Sequence, residues 1–460
     1  MPHHPTGYST IVLGWETSAG GLARRVAAAL RQRGFQAYLV GGCVRDLLLG
    51  REPKDYDVAT DARPEQVLSL FPDAKRVGAQ FGVVLVADGD RQVEVATFRA
   101  DHAYQDGRHP SWVEFRSDPR EDALRRDFTI NALMLDPATG EVLDFVEGRR
   151  DLDARLIRAI GDPEIRFRED HLRMLRAVRL AAGLGFEIEA ETMSSIRRNR
   201  AQIRRVAAER VRDELVRILT EGAARRGFEL LDETGLLVEI LPEVAAMKGV
   251  EQPPEYHPEG DVWTHTLLML EALRAPTVTL ALGVLLHDVG KPSTFRRAER
   301  IRFDSHAATG ARMAVEILTR LRFSNEEIRR VEALVANHLR FLDVERMRES
   351  TLRRFLRMEH FDEHLELHRL DCLASHGRLD HYQFVVSKLR QLSQEQLKPP
   401  RLLTGHDLIR AGYRPGPLFR QMLETVEDAQ LEGLVTTREE ALQLLHRRFG
   451  PPEGTAQAGL

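Results

Sequence analysis

The sequence predicts an α+β protein, with a mixed sheet and flanking helices first and helical modules after it. Three observations carry this. Short runs rich in β-branched and aromatic residues, separated by Gly, Pro and Asp, fill the chain up to Val146. Past Asp162-Pro163 the apolar spacing changes to a period of about 3.6 residues, as in "EDHLRMLRAVRLAAGL" and "AAERVRDELVRILT". Two Pro-rich segments, "EQPPEYHPEGD" (251–261) and "LKPPRLLTG" (397–405), then interrupt the helical part. In chain order, residues 21–33 read as an amphipathic helix, and "AYLV", "DVAT", "FGVVLVA" and "QVEVATF" read as strands. "NALMLD" and "VLDFV" add a further apolar pattern near residues 131–146. The expected divisions are an α+β head at 1–160, a helical neck at 161–250, a second helical module at 251–395, a helical tail at 396–450 and a disordered end at 451–460.

With 460 residues, the chain is too long for one ordinary core. Its 43% hydrophobic and 30% charged residues are those of a water-soluble globular protein. No run approaches the roughly 18 apolar residues of a membrane span, so no membrane partner is expected. The first twenty residues lack the pattern of a secretory signal. The 2 cysteines, Cys43 and Cys372, form neither a disulfide framework nor a CxxC site, which points to a reducing, cytoplasmic setting. A net charge of −4 gives no general attraction to nucleic acid, but arginines crowd the stretch from Arg166 to Arg217 and could face phosphate.

The most informative stretch is "YLVGGCVRDLLLGREPKDYDVAT", Tyr38 to Thr60. In a strand, residues i and i+2 share a side, so Asp55 and Asp57 would place two carboxylates together. Their repulsion is relieved by a cation, and hard oxygen ligands suit Mg²⁺. Two such ions about 3.5–4 Å apart can activate a hydroxyl and stabilise a leaving pyrophosphate. Glu94, which interrupts the apolar "QVEVATF" strand, is the expected third carboxylate. By itself a DxD pair is also common on loops. Gly41 and Gly42 follow a strand and precede a helix, which lets backbone N–H groups approach a phosphate, and Arg45 could hold that phosphate bidentately. A P-loop is excluded, since "HDVGKPS" is only a near miss to its pattern.

"GGCVRDLLLGREPKDYDVAT" resembles the signature of class II nucleotidyltransferases, which comprise bacterial CCA-adding enzymes, A-adding enzymes and bacterial poly(A) polymerases. "RRDFTINALMLD" (Arg125 to Asp136) is similar to that family's second motif, and the resemblance implies that Arg126, Asp127 and Asn131 contact ribose and triphosphate. "RFREDHLRMLRAVRLAA" (Arg166 to Ala182) is similar to the motif that reads the incoming base, which implies nucleotide-binding roles for Asp170, Arg173, Arg176 and Arg179. On a helix Asp170 and Arg173 would share a face, offering acceptors and donors to a base edge without a template. "AAERVRDEL" (Ala207 to Leu215) resembles a later neck motif. The family implies a polymerase-β-like head with all-α neck and tail. The long polar segment "FRADHAYQDGRHPSWVEFRSDPREDALRRD" reads as a mobile loop over the site and looks like the flexible loop of enzymes that add the terminal A.

A second constellation begins in "VWTHTLLML" with His265 and continues through "LLHDVGKP", His306, His338 and Asp371. Imidazoles and carboxylates spread over several apolar helices suit a divalent-metal hydrolase site. The adjacent His-Asp followed by Gly-Lys resembles the HD phosphohydrolase superfamily. That resemblance implies His265, His287, Asp288 and Asp371 as ligands, His306 and His338 as positions for a second metal, and Lys291 as a phosphate neighbour. The metal would be Mn²⁺, Ni²⁺, Co²⁺ or Mg²⁺. The Gly-Pro-split helices after residue 402 resemble the tail of HD-bearing members, and no chemistry is assigned to them.

The resulting expectation is template-independent addition of CCA, or of the terminal A, to tRNA 3′ ends from CTP and ATP, with a phosphohydrolase activity in the HD module. Poly(A) polymerase is an alternative, because the catalytic parts are shared. A non-catalytic RNA-binding protein is another, disfavoured by the intact carboxylate pair. An alarmone synthetase-hydrolase is disfavoured because that family places its HD domain first. The sequence sets no oligomeric state.

Overall fold

The structure is a computed structural model that describes residues 19–77, 82–104 and 110–451. Two compact units divide the chain, Met1–Ala245 with Arg320–Arg322, and Ala246–Thr319 with Phe323–Leu460. Residues 1–18, on which the reading of the N-terminus rests, and all but the first residue of the expected disordered end at 451–460 lie outside the described residues.

The first unit opens with helix α1 (Ala19–Gln32), whose Leu22, Val26 and Leu30 are buried at helical spacing. Strand β1 (Ala37–Val40) leads into α2 (Gly42–Leu48), and β2 (Asp57–Thr60) into α3 (Pro64–Leu70). Strands β3 (Lys75–Arg76), β4 (Val83–Asp88) and β5 (Arg91–Thr97) follow, and the short β8 (Met134–Leu135) and β9 (Val142–Leu143) complete one mixed sheet in the order β3-β4-β5-β2-β1-β8-β9. Among the described residues of this sheet only the β2–β5 pairing is parallel; its register sets Asp57 beside Glu94 and Val58 beside Val95. Val40, Ala59, Phe98, Ala132 and Met134 pack a core on this sheet, so the strand ends that carry polar groups are held by fully buried neighbours.

The segment read as a mobile polar loop is different in its backbone. Strands β6 (Arg99–Tyr104) and β7 (Pro110–Phe115) pair antiparallel as a separate two-stranded ribbon, and α4 (Pro119–Leu124), capped by the Asp118 side chain on Arg120 N–H, follows. The tip at 105–109 lies outside the described residues. Polar, turn-rich composition hid a ladder whose backbone bonds do not depend on apolar alternation. The sequence also leads one to expect both aspartates in one strand. The strand starts at Asp57, and Asp55 sits in the exposed segment before it.

After α5 (Gly148–Asp153) the chain becomes helical, with α6 (Pro163–Glu169) capped by Asp162 and α7 (Arg173–Leu184) ended by Gly185 in the left-handed region at φ 69°. Helices Ala190–Asn199, Ala208–Thr220 and Ala224–Thr234 follow.

The second unit is helical with one exception. Helices Val262–Ala272, Val278–Leu286, His306–Arg320, Asn325–Asn337 and Phe361–Ala374 surround a centre of histidines and carboxylates. Between two of them Phe295–Arg297 and Ile301–Phe303 form a β-hairpin that the all-α expectation did not contain. Phe341, Phe355, Leu356 and Val385 belong to another core of this unit, and Leu408, Met422, Val426 and Leu445 to one built on helices Gly405–Arg410, Leu418–Leu431 and Arg438–Phe449. Among the described residues no helix is long and apolar enough to cross a membrane.

Candidate functional sites

In the first unit, β1 ends at Val40 opposite Asp57 and the chain turns at Gly41, whose φ of 79° and ψ of −140° suit glycine. A methyl group at Gly41 would lie 3.6 Å from Asp57 Oδ2 and 3.5 Å from Arg126 Nη1, so the backbone passes close over this carboxylate. Burial, then the neighbouring Glu94 and Asp55 carboxylates, raise the Asp57 carboxyl to about 6 despite Arg126. Clustered acids that strain against ionisation are suited to a cation. Gly41, Gly42, Asp57, Arg126, Asp127 and Asn131 line a cavity of about 320 Å³ together with Asp170, Arg173 and Arg176. Arg45, Asp55 and Arg179 instead line an adjoining cavity of about 500 Å³, which Asp57 shares. Glu94 is exposed and lines neither, its link to the site being its place beside Asp57.

The polar walls are held by one another. Asp122 is buried and accepts from Arg125 and Arg126, and those guanidinium groups keep its carboxyl low. Asp127 would be raised by burial, but Arg176, bonded at 2.6 and 2.8 Å, holds it at about 2. Asn131 donates to Asp127 at 3.2 Å and accepts from Arg45 Nη1 at 2.8 Å. Arg179 pairs with the buried Glu214 at 2.6 Å.

Asp170 and Arg173, expected to share one helix face, do not lie on one helix. Asp170 has extended backbone, φ −147° and ψ 105°, and terminates α6, while Arg173 begins α7. The Asp170 side chain accepts from Leu172 N–H at 3.1 Å, the local bond by which aspartate favours a turn over a helix. Its ion-pair partner is Arg210, at 2.7 and 3.1 Å, and Arg173 pairs with Glu169. The two residues still meet in the cavity. Arg125 and Arg210 line it as well and were not singled out, although both stand in the quoted motifs.

In the second unit, the ligand candidates sit near helix ends or on inward helix faces. His287 follows Val278–Leu286, His306 starts His306–Arg320, His338 follows Asn325–Asn337, and His265 and Asp371 lie within their helices. Each imidazole is fixed through Nδ1: His265 by Glu259 at 2.7 Å, His287 by the Val284 carbonyl at 2.9 Å, His306 by the Phe303 carbonyl at 2.8 Å and His338 by the Val335 carbonyl at 2.7 Å. An acceptor on every Nδ1 leaves Nε2 as the ligating atom. The Nε2 atoms of His265 and His287 are buried without a hydrogen bond. Asp288 Oδ1 lies 3.4 Å from His306 Nε2 and 3.8 Å from His338 Nε2, and its Oδ2 lies 3.1 Å from His287 Nε2. Asp371 Oδ1 is 3.2 Å from His265 Nε2.

Two ligand triplets therefore share Asp288: His265 and His287 on one side, His306 and His338 on the other. Burial would lower His265, but Asp371 and Glu259 raise it to about 9, whereas burial and neighbouring imidazoles lower His338 to about 4. A neutral His338 is ready to ligate, and a divalent cation would take the place of the His265 proton. The residues fit a metal centre by donor chemistry and by two buried imidazole nitrogens that face carboxylates without a hydrogen bond. Lys291, expected to meet phosphate, is buried and engaged by Asp288 at 2.7 Å and Gln252 at 2.6 Å. Glu259 and His257 were missed, because the segment "EQPPEYHPEGD" reads as a linker; Glu259 also bonds His257 at 2.9 Å.

Comparison with known proteins agrees with this division. Residues 37–158 match the Poly A polymerase head domain, residues 185–248 the family described as "Probable RNA and SrmB- binding site of polymerase A", and residues 261–370 the HD domain. In chain order the matched regions are a poly(A)-polymerase-type head, an RNA-binding region and an HD domain. The chain is similar to CCA-adding enzymes. It is 43% identical to that of Bacillus pumilus over 211 residues, 46% of this chain and 52% of the relative, and 39% identical to that of Lactobacillus helveticus over 254 residues, 54% and 63%. These matches span only about half to two thirds of the curated relatives' length. The Bacillus stearothermophilus CCA-adding enzyme in complex with CTP aligns with a TM-score of 0.73 at 26% identity, covering 94% of this chain and 98% of that one. The Thermotoga maritima CCA-adding enzyme complexed with tRNA-CCA shares the fold, with a TM-score of 0.58 at 20% identity over 94% and 95%.

Proposed function

We propose that this chain adds CCA, or the terminal A, to the 3′ end of tRNA from CTP and ATP, and that its HD module hydrolyses phosphate esters. In this reading residues 1–160 are the catalytic head, 161–250 the base-reading and RNA-binding neck, 251–395 the phosphohydrolase and 396–450 the tail. The observation that carries it is Asp57, held beside Glu94 and under the Gly41 turn at the mouth of an arginine-lined cavity. Asp55 and Asp57 would hold Mg²⁺, with Glu94 beside them. When bound, Mg²⁺ would favour the hydroxyl's ionised form and neutralise the pyrophosphate. The tRNA 3′-oxygen forms a bond to the α-phosphorus, the α–β bridging bond breaks, and pyrophosphate leaves. Gly41 and Gly42 admit the phosphates closely, and Arg126, Asp127 and Asn131 form a rigid wall for ribose and triphosphate. Asp170 and Arg173 present acceptor and donor to the base, and Arg176 keeps Asp127 ionised. Arg45 and Arg179, in the adjoining cavity, would serve the acceptor strand or the departing phosphates.

In the second unit His265, His287, Asp288 and Asp371 would hold one divalent ion and His306 and His338 another, with Asp288 between them. Mn²⁺, Ni²⁺ and Co²⁺ suit the imidazoles better than Mg²⁺ does. A bound ion would supply hydroxide for attack on phosphorus. Two titrations of activity test these readings. Purified protein is given tRNA transcripts lacking CCA, ending in CC, or a generic RNA, with CTP and ATP. Addition restricted to tRNA supports the CCA or A reading, and tailing of any RNA turns it to poly(A) polymerase. Release of phosphate from esters by the metal-loaded protein tests the second site.

A further inference from the structure

The four imidazoles of the second unit are not anchored alike. His287, His306 and His338 each donate from Nδ1 to a backbone carbonyl, whereas His265 donates to the Glu259 carboxylate at 2.7 Å. The Glu259 side chain is only 6% exposed, and its Oε2 is buried without a hydrogen bond. Its Oε1 also accepts from His257 Nδ1 at 2.9 Å, with the His257 and His265 rings edge to face at 5.1 Å. An ionised carboxylate only accepts, so both Nδ1 atoms carry a proton and both hold this one oxygen in place.

The charge around the two ligand triplets is unequal as well. Three carboxylates bear on the His265 position: Asp288, Asp371 and, through the His265 ring, Glu259. Among the described residues, His306 and His338 share Asp288 alone. Lys291 is the one lysine or arginine there in an ion pair with any of the three carboxylates, and it takes Asp288. Buried anions are costly unless a cation balances them. We propose that Glu259, locked by His257, is a positioning residue that makes the His265 position the tighter of the two, so that the first divalent ion enters there and the His306–His338 position fills second. The proposal rests on the reading of these residues as a metal centre. Glu259 keeps the proton on His265 Nδ1, aims Nε2 at the ion and makes that nitrogen a stronger donor, as carboxylates behind ligating histidines do. Its charge adds to the attraction. Backbone carbonyls behind the other three rings fix the tautomer without supplying a full charge.

The test titrates Ni²⁺ into the metal-free full chain by calorimetry, with Mg²⁺ in excess to occupy the aspartates of the first unit. Wild-type protein is expected to bind one Ni²⁺ at least about tenfold tighter than a second. Glu259→Ala should weaken the first ion about tenfold or more and the second by no more than about threefold. Glu259→Gln, which keeps an oxygen for Nδ1 but not the charge, should fall between wild type and Glu259→Ala, and it decides the matter if the alanine variant does not fold. His338→Ala should remove the second ion and spare the first. A single bound ion that survives His338→Ala meets the same expectation. Equal weakening of both ions by Glu259→Ala would reduce Glu259 to a tie for the segment before His265, and overturns the proposal. So does unchanged affinity in Glu259→Ala, a glutamine variant equal to wild type, two ions of equal affinity in wild type, or loss of the first ion in His338→Ala. Failure of wild-type protein to bind Ni²⁺ at all overturns the metal-centre reading itself, and the proposal with it.

Discussion

At the scale of residues, Asp57 has two opposing roles. Its folded-state carboxyl at about 6 stands above the ordinary 3.8, so the metal-free folded chain binds that proton more tightly than the unfolded chain does. This favours folding at low pH, and the advantage is lost as pH rises from about 4 through about 6. Asp57→Asn should therefore raise the melting temperature of Mg²⁺-free protein at pH 7.5, by the equivalent of about 1–2 kcal/mol, and make no difference below pH 4. The same substitution should reduce nucleotide addition at least about a hundredfold, or about 2.7 kcal/mol in barrier. Calorimetry and a primer-extension assay read the two effects, and a destabilised, active variant would contradict both. If Asp170 and Arg173 read the base as proposed, Arg173→Ala or Asp170→Ala should narrow the preference for CTP and ATP over UTP and GTP by about tenfold or more. Competition assays with all four nucleotides measure this, and an unchanged preference removes the role.

At the scale of elements, the candidate metal centre depends on close approach of backbones. A methyl group at Gly290 would fall 2.3 Å from the His306 carbonyl and 2.6 Å from the Gly310 nitrogen. Neither atom can swing aside as a side-chain end does, so the segment carrying Asp288 and the helix carrying His306 must separate. Gly290→Ala is expected to destabilise the second unit by about 2 kcal/mol or more and to lower its metal content, as read by thermal melting and elemental analysis. Retention of full metal content would show that the helices adapt. Elements were also where sequence reading was least reliable. The ribbon β6–β7 and the hairpin beside His306 are stabilised by backbone ladders with polar or arginine-rich side chains, so neither shows the apolar alternation that marks a buried strand.

At the scale of the whole molecule, each site draws its residues from its own compact unit. The double variant His287→Ala, Asp288→Ala should lose metal-dependent phosphate-ester hydrolysis while nucleotide addition stays within about twofold. Parallel assays on one preparation, with circular dichroism as the folding control, decide it. Loss of addition in a folded variant would mean that the sites are coupled.

The sequence by itself singled out the candidate side chains for the proposed chemistry. Asp55 and Asp57, the paired glycines, the Arg-Asp motif and the His-Asp dyad are local patterns, and their spacing along the chain names them before any fold is known. It also determined the change from strands to helices, because apolar periodicity reports burial on one face of an element. Only the tertiary structure decided the partners. That Asp170 answers to Arg210 forty residues on, that Asp127 is kept ionised by Arg176, and that Glu259 in an apparent linker orients His265, are long-range pairings. Burial sets their strength, and periodicity along the chain says which faces are buried without saying which of them meet.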